Sequence, residues 1–229
     1  MKAIAIIPAR SGSKGLPDKN ILSLCGKPMM DYTIKACLES GCFDRVHVST
    51  DSEKYAQIAR ESGADVPFLR TEELATDKAT TEDVIRFVLE EYRKRQETFQ
   101  VFAIMQPTSP LRNKEDIQRS FALMDEKNAN SIIGVCEMEH SPLWANTLDK
   151  EGRMEGFLSQ VTNQNRQSFQ TYYRINGAIY LMKVEKYTNH MALYGHKSFA
   201  YQMPKERSVD IDDQVDYLIA QTLMSHQMD

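Results

Sequence analysis

Short apolar runs alternate along this chain with segments whose apolar residues recur every three or four positions. Ala3-Ile4-Ala5-Ile6-Ile7 reads as a fully buried strand stopped by Pro8. After a long polar loop, a helix is expected near Met29–Glu39, ended by Ser40-Gly41. Arg45–Thr50 is the next strand, and Asp51-Ser52 caps a helix that runs to about Ser62 with Gly63 as its stop. Val66–Leu69 is a short extended piece, and Thr80-Thr81-Glu82-Asp83 opens a helix through about Arg95. Val101–Met105 is another buried strand, ended by Gln106-Pro107, then come a helix over Lys114–Lys127 and a strand over Ser131–Cys136. From about Glu139 to Gln170 the pattern degrades into polar residues with Pro142, Gly152 and Gly156, which reads as an insertion or arm. Strand character returns at Ala178–Met182 and Ser198–Gln202, and an amphipathic helix spans about Asp213–Ser225.

Strand–helix alternation with short connections predicts an α/β fold: a mostly parallel, doubly wound sheet with helices on both faces. At 229 residues, with no repeat or linker, residues 1–229 form a single domain with an arm at about 139–170. A net charge of −4 argues against bulk nucleic-acid or anionic-membrane binding. No apolar run approaches the roughly 18 residues of a membrane helix. The start runs directly into strand pattern, so a cytoplasmic protein is expected. The cysteines Cys25, Cys37, Cys42 and Cys136 form no Cys-x-x-Cys pair, which points to buried thiols rather than a zinc site or disulfides.

Four stretches carry candidate chemistry, and such sheets bind ligands at the carboxyl ends of their strands. The loop after the first strand holds Arg10, Lys14 and Lys19 with Gly12 and Gly15. Its glycines let backbone N–H groups approach an anion, and its cations offset phosphate charge. A solvated basic loop is the plainer alternative, and the spacing fits neither the dinucleotide nor the Walker motif. In Asp210-Ile211-Asp212 an extended backbone would turn both carboxylates to one side, suiting Mg²⁺ shared with phosphates, while Asp213 and Asp216 suit a helix cap. In Gln106-Pro107-Thr108-Ser109-Pro110-Leu111-Arg112 two prolines stiffen the loop, which either holds Gln106 as a neutral hydrogen-bonding group or simply turns into a helix. In Tyr172–Tyr180, Asn176-Gly177 is a turn signal, yet Arg174 and Asn176 together could address a carboxylate and a hydroxyl.

Taken together these stretches, with Phe43–Asp51, Leu69–Thr81 and Glu137–Leu143, resemble the acylneuraminate cytidylyltransferases, the CMP-sialic acid synthetase family, in order and over almost the whole chain. The resemblance implies a Rossmann-like nucleotidyltransferase that transfers CMP from CTP to the C2 hydroxyl of a nonulosonic acid. It implies that Arg10, Ser13, Lys14 and Lys19 hold the triphosphate, and that Asn20, Arg70 and Thr81 lie near cytosine and ribose. Gln106 and Asn176 would face the sugar, Arg174 would contact it, and Asp210 and Asp212 would bind Mg²⁺. The arm would pair two copies as a homodimer, with Arg166 reaching the partner's site. No Ser-His-Asp triad is found, and none is required where positioning and charge stabilisation carry the reaction.

The chain departs from the family pattern after His140-x-Pro142-Leu143, where sialic acid members carry lysine and this chain has Trp144. Loss of that cation points to a differently decorated sugar, such as a legionaminic-type acid, with core packing of the tryptophan as the other reading. A CMP-Kdo synthetase or another sugar nucleotidyltransferase is the rival enzyme, and a nucleotide-binding regulator the non-enzyme alternative.

Overall fold

The computed structural model describes residues 1–13, 15–76, 78–158 and 170–228, the last two without their side chains. Its main sheet comprises β1 (Ala3–Pro8), β4 (Arg45–Ser49), β5 (Val101–Ile104), β6 (Ser131–Glu137), β7 (Tyr173–Lys183) and β8 (Ser198–Gln202), while β2 (Ser23–Leu24) and β3 (Lys27–Pro28) pair separately. The spatial order is β4-β1-β5-β7-β6-β8. β1 is parallel to β4 and β5, and β8 is parallel to β6. β7 alone runs against its neighbours β5 and β6. The reason lies in the connection: Glu137 pairs with Tyr173, so the chain leaves and re-enters the sheet at the same end. Without a crossover the returning strand must be antiparallel. The mostly parallel α/β sheet is therefore present with one reversed strand inside it.

β7 is also longer than Ala178–Met182, the part that its apolar run predicts. Asn176-Gly177 sits within the strand, at an irregularity where the register steps from Ile133↔Tyr180 to Val135↔Ile175. Gly177 takes a φ of 74° there. A dipeptide that signals a turn locally is used here for a bulge.

Alternation along β1 divides the core. Ala3, Ala5 and Ile7 meet α1 (Met29–Ser40), α2 (Glu53–Glu61) and α4 (Lys114–Glu126) through Ile34, Tyr55, Ala59 and Ile117. Ile4 and Ile6 face α3 (Thr81–Lys94) through Val84, Ile85 and Val88. α5 (Gln214–Met228) packs Ala220 and Met224 against Leu24, Leu111 and Ile211. Ser52 caps α2, and reciprocal capping boxes start α3 (Thr80 with Asp83) and α4 (Asn113 with Asp116). No helix among the described residues is long and apolar enough to cross a membrane. The expected arm is irregular over its described part, with one helical turn at Pro142–Trp144. Trp144 is 48% exposed, so the core-packing reading of this residue is wrong.

One buried group makes the fold sensitive to acid. His47 of β4 is fully buried, its ring centroid 4.8 Å from that of Phe68 and its Nδ1 3.3 Å from the Tyr92 hydroxyl. Burial, with the positive charge of Arg70 second, pushes its pKa down to about 3. Unfolded histidine titrates near about 6.5, so between those values the unfolded chain binds a proton that the folded chain refuses. Stability therefore falls as pH drops below about 6.5, by up to about 1.4 kcal/mol per pH unit from this group. Urea melts between pH 7 and pH 4.5 are expected to show a shallower loss for His47→Phe than for the wild type.

Candidate active site

A cleft of about 570 Å³ opens where β1 and β5 end, at the carboxyl edge of the sheet. One wall is the first loop, through Arg10, Ser13, Gly15, Lys19 and Asn20, and the other is formed by Gln106, Thr108, Asp210 and Asp212.

The loop is held by side chains distant in sequence. Asp51, just beyond β4, accepts hydrogen bonds from the Ser11 amide (2.8 Å) and the Ser11 hydroxyl. Partial burial acts to raise the Asp51 pKa, but the Ser11 donors, with Arg70 further off, hold this carboxyl below its ordinary value. Asn20 Nδ2 donates to the Arg10 carbonyl at 3.0 Å, and the Tyr55 hydroxyl donates to Asp18 Oδ1 at 2.8 Å. Gly15 lies so close to the segment after β8 that a Cβ would stand 2.6 Å from the Asp212 carbonyl oxygen. Lys19 Nζ bridges the two walls, 2.9 Å from Asp212 Oδ1.

Behind the loop, Arg70 is 8% exposed and donates through Nε to Ser49 Oγ at 2.8 Å. Its Nη2 has no hydrogen-bond partner among the described residues. Burial lowers its pKa to about 10, with Asp51 opposing and Arg10 adding, so it stays cationic at neutral pH.

The opposite wall is assembled from three chain segments. The Ile211 amide donates to the Thr108 carbonyl at 2.8 Å, laying Asp210–Asp212 beside the loop that follows β5. Both acids line the cleft. Asp210 Oδ1 is buried with no hydrogen-bond partner among the described residues. Burial raises the Asp210 pKa, a hydrogen bond from Thr108 opposes this, and the neighbouring charge of Asp212 adds to it. Gly177 completes the contact: a Cβ there would stand 2.4 Å from Gln106 Oε1 and 3.1 Å from Asp210 Oδ2.

The remaining expected site residues divide. Asp213 and Asp216 form the reciprocal cap of α5, Asp213 Oδ1 accepting from Asp216 N (3.0 Å) and Asp216 Oδ2 from Asp213 N (3.1 Å). Asn176 is buried, donating to Ser208 Oγ at 2.9 Å and accepting from the Ala178 amide at 3.1 Å. It thus props the bulge from within the protein and does not line the cleft. Arg174 is exposed and donates to the Ser208 carbonyl at 3.1 Å. Thr81 is exposed in the first turn of α3. Lys14 and Arg166 lie outside the described residues. The sequence reading missed Tyr55 and Gly177, and saw Asp51 only as a cap; the sole local sign of these contacts was a carboxylate at a strand end.

Residues 4–227 match the family model described as cytidylyltransferase. The chain belongs to the cytidylyltransferase family. It is 41% identical over 220 residues to an N-acylneuraminate cytidylyltransferase of Streptococcus agalactiae serotype V, covering 95% of this chain and 52% of that protein. It is 35% identical to the CMP-N,N'-diacetyllegionaminic acid synthase of Legionella pneumophila, over 98% of this chain and 97% of that one. The chain thus spans about half the length of its streptococcal relatives and nearly all of the Legionella one. Among solved structures, a CMP:2-keto-3-deoxy-manno-octonic acid synthetase complexed with CTP shares the fold at a TM-score of 0.72 and 16% identity, with 99% of this chain and 100% of that one covered.

The close approach at Gly177 has a measurable consequence. In Gly177→Ala, a residue with a side chain would occupy the left-handed region, at about 1–2 kcal/mol, and would also press on Gln106 and Asp210. A fall in Tm of roughly 2–8 °C is expected for a chain of this size, read by a thermal melt.

Proposed function

We propose that this cytidylyltransferase-family chain transfers CMP from CTP to the C2 hydroxyl of a nonulosonic acid and releases pyrophosphate. The carrying observation is the cleft itself, in which a glycine-and-cation loop faces a carboxylate pair, Asp210 and Asp212. The names of the streptococcal and Legionella relatives support the choice of sugar acid.

In this reading the C2 hydroxyl loses its proton to solvent as its oxygen attacks the α-phosphorus, and the bond from that phosphorus to the oxygen bridging it to the β-phosphate breaks, the pyrophosphate leaving with the electron pair. Arg10, Ser13, Lys19 and the backbone of the loop bind the triphosphate, and the family resemblance assigns Lys14 to the same task. They offset the charge that builds on the leaving pyrophosphate. Arg70, whose Nη2 has no hydrogen-bond partner among the described residues, and Asn20 address the nucleoside. Gln106 offers a neutral amide to the acceptor. No histidine is among the described residues that line the cleft, and a transfer governed by placement and charge requires none.

The carboxylates fit Mg²⁺ as a cofactor. The buried, unpartnered Oδ1 of Asp210 is a donor that a cation would satisfy, and Asp212 stands beside it. Among the described residues no group of three or more His, Cys, Asp or Glu could hold a metal. Mg²⁺ usually takes only one or two protein carboxylates with phosphate and water. When bound it would neutralise phosphate charge and polarise the α-phosphate. A cytoplasmic homodimer joined through the arm, with Arg166 offered to the neighbouring site, belongs to the same reading.

The exposed Trp144 favours a sugar with apolar decoration, and the match along nearly all of the Legionella relative supports a legionaminic-type acid. Product mass with CTP, Mg²⁺ and a panel of nonulosonic acids tests the assignment: a CMP-glycoside mass is expected, and its absence across the panel would overturn it. A higher kcat/KM for legionaminate than for N-acetylneuraminate is expected, and a strong preference for the latter would remove the legionaminate assignment. Asp212→Asn is expected to cut turnover at least ~100-fold with an unchanged circular dichroism spectrum. Near-normal turnover in that variant would end the metal assignment.

A further inference from the structure

Arg112 is the most conspicuous buried cation in the molecule, at 2% exposure in the interior behind the cleft. Nη1 donates to the Ala178 carbonyl at 2.7 Å and lies 3.5 Å from the Gln106 carbonyl. Nε and Nη2 have no hydrogen-bond partner among the described residues. No carboxylate forms an ion pair with it among those residues. The one carboxylate whose charge acts on it, Asp116, is already bound to Arg207 through two hydrogen bonds of 3.0 Å. A buried cation so poorly compensated costs stability, and an apolar side chain would fill the same space at lower cost. Where a protein keeps a locally unfavourable arrangement, a functional constraint is the first explanation to test.

Its contacts indicate that constraint. The two carbonyls belong to Gln106, at the end of β5, and Ala178, which follows Gly177 in the β7 bulge. These segments are the ones whose close approach builds one wall of the cleft. The Gln106 carbonyl is held further by Thr33 Oγ1 at 3.4 Å and the Ser109 amide at 3.3 Å. The first loop is fastened by other groups, Asp51, Asn20 and Tyr55, none of which is hydrogen-bonded to Arg112 among the described residues. We propose that Arg112 is a positioning residue for the acceptor sugar: it ties the end of β5 to the bulge of β7 from behind, and so sets where Gln106 stands without touching either substrate. The proposal rests on the sugar-acid reading above.

The separate fastening of the two walls predicts a split that a merely structural residue would not produce. The full chain is compared as wild type, Arg112→Met and Arg112→Lys. CTP affinity is measured by calorimetry with Mg²⁺, KM and kcat with a nonulosonic acid that the wild type accepts, and folding by a circular dichroism melt. Arg112→Met is expected to raise the acceptor KM at least ~10-fold while the CTP Kd stays within about two-fold. Arg112→Lys, which keeps one donor for the Ala178 carbonyl, is expected to fall between Met and wild type. Should Arg112→Met fail to fold, a raised acceptor KM with unchanged CTP affinity in Arg112→Lys supports the proposal. Equal losses in CTP affinity and acceptor KM, or an unchanged KM in the folded variants, overturn it. A wild type that transfers CMP to no nonulosonic acid overturns the functional reading first, and this proposal with it, before any variant is made.

Discussion

Residue 177 has no room for a side chain, and much of the site's architecture follows from that exclusion. Gln106 at the end of β5 and Asp210 in the segment after β8 both come up against the bare Cα of this residue. That requires β7 to occupy the middle of the sheet next to β5, to run antiparallel, and to bulge opposite Gly134. The bulge is not self-supporting. Asn176 fastens it to Ser208, on the segment that carries Asp210, and Arg112 fastens Ala178 to the end of β5. A residue type normally read as a flexible turn thus becomes a rigid point where three chain segments converge.

Charge in the cleft is arranged as two opposed sets instead of being neutralised within each wall. Arg10 and Lys19 belong to the loop, Asp210 and Asp212 to the facing segment, and the 2.9 Å pair Lys19–Asp212 links them. Asp212 is 76% exposed at its side chain, so this pair adds little to stability and leaves both charges available to a ligand. Asp210 differs: it is largely buried, one oxygen has no hydrogen-bond partner among the described residues, and its pKa is raised first by burial. A carboxylate kept in that condition is an incomplete electrostatic arrangement. A phosphate-bearing ligand that brings a cation would complete it.

Much of this was legible in the chain because it depends on local pattern. Ala3–Ile7 and Val101–Met105 read as buried strands, Thr80–Asp83 as a helix start, and the glycine-and-cation loop lies at a strand end as expected. The direction of β7 was not legible, because antiparallel return is decided by where residues 138–172 leave and rejoin the sheet, not by the composition of Tyr173–Lys183. The partner of Asn176 is not legible either, for a related reason. Its amide has one set of donors and acceptors, and whether these face ligand or protein depends on Ser208, 32 residues away. Asp51 was read as part of a helix cap, but Ser52 does the capping and Asp51 holds Ser11. Local propensity describes elements well, whereas a polar side chain's partner is set by tertiary contact.

The two sides of the wall that faces the first loop share one support, the start of α4. Arg112 immediately precedes the Asn113 cap and holds the β5–β7 junction. Asp116, in the first turn, is completely buried and accepts from Arg207 Nε and Nη2, each at 3.0 Å, from the Tyr201 hydroxyl at 3.0 Å and from the Asn113 amide at 3.2 Å. Arg207 begins the segment that delivers Asp210 and Asp212, so that bidentate pair fixes where the carboxylates enter the cleft. A buried pair of this kind contributes modestly over an apolar replacement but is strongly destabilising when only one partner is lost. Its value is therefore in geometry more than in stability. The helix start orders both Gln106, through Arg112, and the acid pair, through Arg207, while the first loop is held by Asp51 and Tyr55, beyond β4 and on α2. The cleft is in this sense two independently supported walls, joined across their gap by Lys19 and Asp212.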